Sequence, residues 1–158
     1  MGSMIHLNVN GADYEVEAAA HESLADVLHD RLHLIGTRVS CAEGECGCCT
    51  ILLNEEPATA CLLLAAQAEG RAVRTIEGIG SPGDLHPVQQ AFVDEHGFQC
   101  GYCTSGFIMS SVALLERNPH PSRDEVAEAV SGNLCRCGAY PYIVESVMTA
   151  ATRMQANR

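Results

Sequence analysis

The chain has 158 residues, a formal net charge of −11 and 47% hydrophobic residues, a composition typical of a protein with a folded core. The negative charge would repel phosphate and argues against nucleic acid as a partner. No stretch approaches the roughly 20 apolar residues that cross a bilayer, so we expect no membrane span. Residues 1–9 lack a cationic segment followed by an apolar run, so we expect no secretion signal and predict a cytoplasmic location.

The first half of the chain carries strand and turn patterns. Apolar and polar residues alternate on both sides of Asn10-Gly11, which is typical of a β-hairpin. Ser23 is predicted to cap a short helix that carries leucines and a valine on one face. We predict strands at residues 5–9, 14–17, 50–53 and 72–76. These elements together predict a small mixed sheet of the β-grasp type.

The second half is predicted to be helical. Helices are expected at residues 86–96, 107–117, 123–130 and 142–154. Residues 107–115 are apolar on nearly every side, which indicates a helix buried at the centre of a bundle or covered by a partner. Between the two halves, residues 79–84 have the composition of a linker.

Eight of the nine cysteines fall into two sets of four. The first set is Cys41, Cys46, Cys49 and Cys61. Its Cys-x4-Cys-x2-Cys run is the thiolate spacing of plant-type ferredoxins, which hold a 2Fe-2S cluster. Because the cluster and its thiolates are anionic, backbone N–H groups should approach the sulfurs. The glycines within this run can adopt positive φ, which permits that approach.

The second set is Cys100, Cys103, Cys135 and Cys137. Each of its two pairs precedes a predicted helix, where free N–H groups and the helix dipole favour anionic sulfur. The predicted fold is therefore α+β. It comprises a plant-type ferredoxin β-grasp domain at residues 4–78, a linker at 79–84 and a four-helix bundle that binds 2Fe-2S at 85–154.

The cysteines considered by residue type alone allow two other interpretations, a disulfide scaffold and a zinc site. A secreted disulfide scaffold usually has an even cysteine count and a secretion signal. Zinc also binds paired Cys-x2-Cys units, so Cys100 and Cys103 alone do not distinguish the two metals. The Cys-x4-Cys-x2-Cys run, and the single residue between Cys135 and Cys137, favour two iron-sulfur clusters.

Cys48 is left over, because it lies between two predicted ligands. We interpret it as a small, half-buried residue that fills space beside the first cluster. As a free thiol near a cluster, it is also a candidate site of oxidative damage.

Both halves resemble the small iron-sulfur subunit of the molybdenum hydroxylases, the xanthine dehydrogenase and aldehyde oxidoreductase family. The similarity covers residues 4 to 151. Its specific segments are residues 41–50 (CAEGECGCCT), 60–62 (ACL), 75–78 (TIEG), 99–104 (QCGYCT) and 132–138 (GNLCRCG). Five such segments in order, at the family's spacing, make a chance similarity very improbable.

The resemblance implies a heterotrimeric complex, and a dimer of such heterotrimers. A large subunit would hold a molybdenum pterin, as a cytosine dinucleotide, and a medium subunit would hold FAD. Water would hydroxylate an aldehyde or an N-heterocyclic or aromatic substrate, and electrons would pass through two 2Fe-2S clusters of this chain. The helical half would lie next to the pterin, and the β-grasp half nearer the flavin.

The resemblance also implies two residues that face the pterin. Gln99 matches the family's glutamine that hydrogen-bonds the pterin, and Cys137 matches the ligand nearest that cofactor. By residue type alone, Gln99 is more simply a solvent-facing residue at a helix end.

Two further functions are weighed against the complex. A free-standing two-cluster ferredoxin is the main alternative, against which Gln99 and the apolar helix at 107–115 argue. A zinc-bound adaptor is the other. The sequence contains no nucleophile with an adjacent base, no phosphate-binding loop and no dinucleotide glycine motif, so this chain alone is not expected to turn over an organic substrate.

Overall fold

A computed structural model describes residues 2–156 of the chain. Within that range a five-stranded sheet lies beside a group of helices, which confirms the predicted α+β fold. The strands are β1 (Gly2–Val9), β2 (Ala12–Ala19), β3 (Thr50–Leu53), β4 (Glu56–Thr59) and β5 (Ala72–Arg74). The helices are α1 (Leu24–Asp26), α2 (Pro87–Asp94), α3 (Thr104–Arg117), α4 (Arg123–Ala129) and α5 (Tyr140–Ala156).

The sheet is mixed, with strand order β2-β1-β5-β3-β4. β1 pairs antiparallel with β2 and parallel with β5, while β3 pairs antiparallel with β4 and β5. The hairpin turn at Asn10 and Gly11 has φ of 53° and 79°, the left-handed values that a two-residue hairpin loop requires. The predicted hairpin and small mixed sheet are therefore confirmed.

The strand predictions were incomplete at two places. β4 was missed, because its Glu56 and Pro57 resemble a turn; it is an edge strand, where proline is tolerated. The strand predicted at 72–76 ends at Arg74. The N–H of Thr75 donates to the Asn10 side chain at 2.8 Å instead of to a neighbouring strand, and a 3₁₀ turn follows at Ile76–Gly78.

The short helix after the hairpin begins as expected. Ser23 Oγ accepts the N–H of Asp26 at 3.1 Å, and the Asp26 carboxylate accepts the Ser23 N–H at 3.3 Å, so the two residues form a capping box. After α1 the backbone widens into one π-helical turn at Val27–Arg31. Its buried side chains pack on the inner face of the sheet.

The four predicted helices of the second half are present. Ser122 caps α4, with its Oγ accepting the Glu125 N–H at 3.3 Å. Pro141 lies in the first turn of α5, where the missing N–H costs nothing. None of the helices within residues 2–156 is long and apolar enough to cross a membrane.

Helix α3 is the buried centre of the molecule. Its ten consecutive residues from Gly106 to Leu115 are all buried. They pack against the other helices and also against the sheet, since Leu52 of β3 belongs to the same apolar cluster. The chain itself therefore covers this helix. Its apolar character no longer argues against a free-standing ferredoxin.

Ion pairs also join the two halves. Arg74 on β5 pairs with Glu116 at the end of α3, and Arg117 pairs with Glu56 on β4 at 3.1 Å. The Arg117 pair is solvent-exposed, so we expect it to contribute less than about 1 kcal/mol. Apolar packing of α3 therefore holds the two halves together, and the ion pairs help to orient α3 relative to the sheet.

We predict that Leu115→Ala lowers the free energy of unfolding by about 2 to 5 kcal/mol, because Leu115 is fully buried in the cluster that the two halves share. Urea unfolding of the iron-loaded chain, followed by circular dichroism, measures the change. Leu85→Ala is the matched control, since Leu85 is exposed, and it should change the value by no more than about 0.5 kcal/mol. Equal effects of the two substitutions would contradict the role assigned to α3.

Candidate metal centres

The first cysteine loop joins the π-helical turn to β3 and has no regular secondary structure. Its backbone turns sharply, with φ of 56° at Ala42, 79° at Gly44 and 64° at Gly47. The positive φ expected of the two glycines is confirmed. This conformation turns N–H groups towards sulfur, and the N–H of Glu43 donates to Cys41 Sγ at 3.4 Å.

Cys61 reaches this loop because β3 and β4 form a hairpin that brings the chain back. Immediately before it, the N–H of Ala60 donates to the Cys49 carbonyl at 3.2 Å. The four thiols lie in two pairs of neighbours, and in each pair one thiol shifts the pKa of the other. Cys41 pairs with Cys46, and Cys49 pairs with Cys61.

The thiols of this first set differ in acidity. The backbone N–H of Glu43, followed by the N–H and thiol of Cys46, lowers the pKa of Cys41 to about 7. Burial raises the pKa of the Cys49 thiol to about 12. A buried thiol of this kind becomes a thiolate when a cation replaces its proton, as happens when metal binds.

The second set lies where the sequence predicted it, at the beginnings of two helices. Cys103 is the residue before α3, and Cys137 lies shortly before α5. These four thiols also form two pairs. Cys100 pairs with Cys137, and Cys103 pairs with Cys135.

Backbone donors surround this set as well. The N–H of Tyr102 lowers the pKa of Cys100. Burial opposes ionisation of Cys135, but the N–H of Ala139, which lies 3.4 Å from its sulfur, and the Cys103 thiol outweigh it, so that pKa is lowered. Burial raises the pKa of Cys103 to about 12.

The two sets fit the demands of a 2Fe-2S cluster. Each iron of such a rhomb takes two thiolates, and each set supplies two pairs of thiols with N–H donors nearby. Among residues 2–156 no group of three or more Cys, His, Asp or Glu side chains converges on one point, and a rhomb does not require one. In the two residues after Cys103, the buried hydroxyls of Thr104 and Ser105 have no hydrogen-bond partner in the protein.

The two sets lie next to each other, which the sequence did not predict. One cavity of about 360 Å³ is lined by cysteines of both. Its sulfur-bearing residues are Cys46, Cys48, Cys100, Cys103 and Cys135. Two clusters held by these loops would therefore be neighbours within one chain.

Cys48 lies between the two sets. It is buried rather than half-buried as expected, with 4% of its surface exposed. Burial, followed by the neighbouring Cys46, raises the pKa of its thiol to about 12, and Cys103 of the other set adds to the shift. A thiol that is both buried and protonated is a poor nucleophile, so the structure disfavours the role of oxidation site.

The two residues expected to face a cofactor are accessible. Gln99 and its neighbour Cys100 are exposed, and Cys137 is half-buried. Sequence reasoning missed Asn133, a buried side chain that contacts the first cysteine loop. An asparagine two residues before Cys135 was the available signal, but its partner is 86 residues away along the chain.

Comparisons with known proteins agree with this geometry. A family model described as a 2Fe-2S iron-sulfur cluster binding domain matches residues 7–74. A second model, described as a 2Fe-2S binding domain, matches residues 75–148. Fold, thiols and both models define a two-domain 2Fe-2S protein with an electron-transfer role.

Similar proteins and solved structures show which kind of 2Fe-2S protein this chain is. The chain is 44% identical to the aldehyde oxidoreductase iron-sulfur-binding subunit PaoA of Escherichia coli (strain K12), over 95% of this chain and 72% of PaoA. It is 49% identical to the nicotine 6-hydroxylase small subunit of Paenarthrobacter nicotinovorans, over 92% of this chain and 88% of the relative. The quinoline 2-oxidoreductase structure from Pseudomonas putida 86 matches with a TM-score of 0.93, 38% identity and coverage of 98% and 97%.

Some relatives carry the same fold inside a longer chain. The aldehyde oxidoreductase from Desulfovibrio desulfuricans ATCC 27774 matches with a TM-score of 0.94 and 39% identity, over 98% of this chain but only 17% of that one. The chain belongs to the iron-sulfur small subunits of the molybdenum hydroxylases. It is thus a subunit type of oxidoreductase complexes, as the sequence predicted.

We predict that Cys48→Ala retains about four irons and four acid-labile sulfides per chain, whereas Cys49→Ala loses about two of each. Both thiols are buried in the same loop, so the pair of substitutions separates ligation from packing. Iron and sulfide analysis with visible absorption measures the outcome. Equal iron loss in the two variants would show that the ligand assignment is wrong.

We also predict that iodoacetamide leaves Cys48 unmodified at pH 8 in the iron-loaded chain. Its side chain is buried, which limits access of the reagent, and the same burial raises the pKa of the thiol, so little reactive thiolate forms at that pH. Mass spectrometry of the digested chain measures the modification. In urea the burial is lost, the pKa returns towards about 8.5, and Cys48 should react. Rapid modification of the folded, loaded chain at pH 8 would refute this environment for Cys48.

Proposed function

We propose that this chain is the electron-transfer subunit of a heterotrimeric molybdenum hydroxylase. Electrons would pass from a molybdenum pterin through two 2Fe-2S clusters to FAD, while water hydroxylates an aldehyde or an N-heterocyclic or aromatic substrate. The relatives support this proposal, because their names describe the iron-sulfur-binding subunit of an aldehyde oxidoreductase and the small subunit of a nicotine 6-hydroxylase.

One observation carries the proposal: cysteines of both sets line the same cavity. A relay needs two redox centres close together, each able to accept and give one electron. Two clusters held beside this cavity would meet that requirement within one chain.

The eight predicted cysteines are the proposed ligands. Cys41, Cys46, Cys49 and Cys61 would hold one cluster, and Cys100, Cys103, Cys135 and Cys137 the other. Each cluster, when bound, supplies a site that takes up and releases one electron at a time. The contribution of the chain is the paired thiols and the N–H donors around them, which stabilise the anionic sulfur.

The helical half is proposed to face the subunit that holds the molybdenum pterin, as a cytosine dinucleotide. Gln99 and Cys100 are exposed there, so the Gln99 amide is free to hydrogen-bond the pterin, and Cys137 would be the ligand nearest to it. Large apolar side chains are also exposed around this set, which suits an interface with another subunit. They are Phe98, Tyr102, Leu134 and Tyr142.

The β-grasp half is proposed to face the FAD subunit. The first cysteine loop lies on the surface with Cys41 and Cys46 partly exposed, so a flavin subunit can approach that cluster directly. The order of centres would then be molybdenum, the helical-half cluster, the β-grasp cluster and FAD. We propose that two such heterotrimers associate.

We also propose the domain division at residues 4–78 and 85–154, joined by 79–84. A cytoplasmic location is proposed because all nine cysteines are free thiols, which suits a reducing compartment. A free-standing ferredoxin remains the alternative that the following experiment tests.

We predict that Cys135→Ser interrupts the relay in the reconstituted complex, because it removes one thiolate of the helical-half cluster. Substrate should still reduce molybdenum, while the β-grasp cluster and FAD stay oxidised during turnover. Rapid mixing with absorbance and EPR follows each centre. Cys48→Ala is the control and should reduce every centre at the native rate. Native-rate reduction of the β-grasp cluster in Cys135→Ser would refute the linear order, and a chain that binds neither partner subunit would favour the free ferredoxin.

A further inference from the structure

Asn133 ties the first cysteine loop to the segment that precedes Cys135. Its Nδ2 donates to the Gly47 carbonyl at 2.8 Å, and its Oδ1 accepts the hydroxyl of Ser110 on α3 at 2.8 Å. Only 3% of Asn133 is exposed. A buried amide with both ends hydrogen-bonded has one orientation, so it fixes the Gly47 peptide relative to α3.

The Gly47 peptide is also held from other directions. Its carbonyl accepts the Thr50 hydroxyl at 2.7 Å and the Thr50 N–H at 3.1 Å. A Cβ at Gly47 would lie 2.4 Å from the Gly132 carbonyl, and a Cβ at Gly106 would lie 2.2 Å from the Gly47 carbonyl. Neither position has room for a side chain, so the two loops and α3 meet backbone to backbone.

A second hydrogen bond lies directly between the two proposed ligand sets. The N–H of Leu134 donates to the Cys46 carbonyl at 2.9 Å. Leu134 is covalently joined to Cys135. This hydrogen bond therefore connects the carbonyl of Cys46 to Cys135 through one intervening residue, Leu134.

We propose that Asn133 is a positioning residue for electron transfer between the two clusters. It holds the Gly47 carbonyl, in the peptide unit after the one that carries the Cys46 carbonyl, so that the bond from Leu134 to Cys46 stays formed and the two clusters stay at a fixed separation. The inference rests on the proposed function, because it requires both clusters to be present.

The step that Asn133 serves moves one electron and no atoms. When both clusters are bound, one ferrous iron of the helical-half cluster would become ferric, and one ferric iron of the β-grasp cluster would become ferrous. No proton moves and no bond breaks. At a given driving force and reorganisation energy, the rate would depend on the distance and the contact between the clusters, and these are the quantities that Asn133 is proposed to set.

A merely structural asparagine would affect stability or iron loading alone. A positioning residue also changes the magnetic interaction between the two clusters. Each reduced 2Fe-2S cluster carries one unpaired spin, and two such spins split each other's EPR signals. The splitting falls steeply with separation, so it reports the geometry without any turnover.

The test compares Asn133→Ala with the native full-length chain, both loaded with iron and fully reduced with dithionite. Asn133→Ala removes the donor to Gly47 and should weaken or abolish the splitting, with about four irons per chain retained. Redox titration of each cluster should give native midpoint potentials. Ser111→Ala is the control. Ser111, on α3, is as buried as Asn133, but its hydroxyl donates to the Phe107 carbonyl of the same helix. This variant should therefore keep the native splitting.

Gly106→Ala tests the same contact from the other side, since its methyl group would press on the Gly47 carbonyl. It too should change the splitting. Native splitting in an iron-loaded Asn133→Ala or Gly106→Ala overturns the proposal. An equal loss in Ser111→Ala, no splitting in the native chain, or failure of both contact variants to hold iron also overturns it. A native chain without two clusters would instead refute the proposed function.

Discussion

The burial of α3 is the constraint on which the rest of the structure depends. Ten consecutive buried residues leave this helix no solvent-facing side, so the sheet must cover what the other helices do not. The two halves are consequently fused along one apolar core that includes Leu52 of the sheet. Because Cys103 directly precedes α3, the helix that joins the halves also fixes one end of the second cysteine set.

The anionic character of sulfur explains the local structure of both cysteine loops. Thiolates and sulfides need donors, and a helix or strand interior uses its N–H groups for itself. Both sets use positive φ, at Ala42 and two glycines in the first loop and at Gly101 and Gly138 in the second set. The second set also lies where α3 and α5 begin.

The two cysteine loops lie next to each other because glycines leave room for close backbone contact and because the buried side-chain amide of Asn133 connects them. Gly47 and Gly106 let the backbones meet, and Asn133 adds a third donor to the Gly47 carbonyl, which also accepts two hydrogen bonds from Thr50. An apolar residue at 133 would leave the contact without its orienting bond. The arrangement makes the spacing of the proposed clusters a property of this chain, independent of how the partner subunits dock.

Sequence alone determined the α+β class, the hairpin, the four helices and the grouping of eight cysteines into two sets, because these are local patterns of period, capping and spacing. It failed at β4 and at the end of β5, where Pro57 on an edge strand and the side chain of Asn10 override local preference. Only the tertiary structure decided that the chain itself buries α3, that Cys48 lies between the sets, and that Asn133 reaches Gly47. Each of these depends on contacts between residues far apart in the chain, which no local pattern encodes.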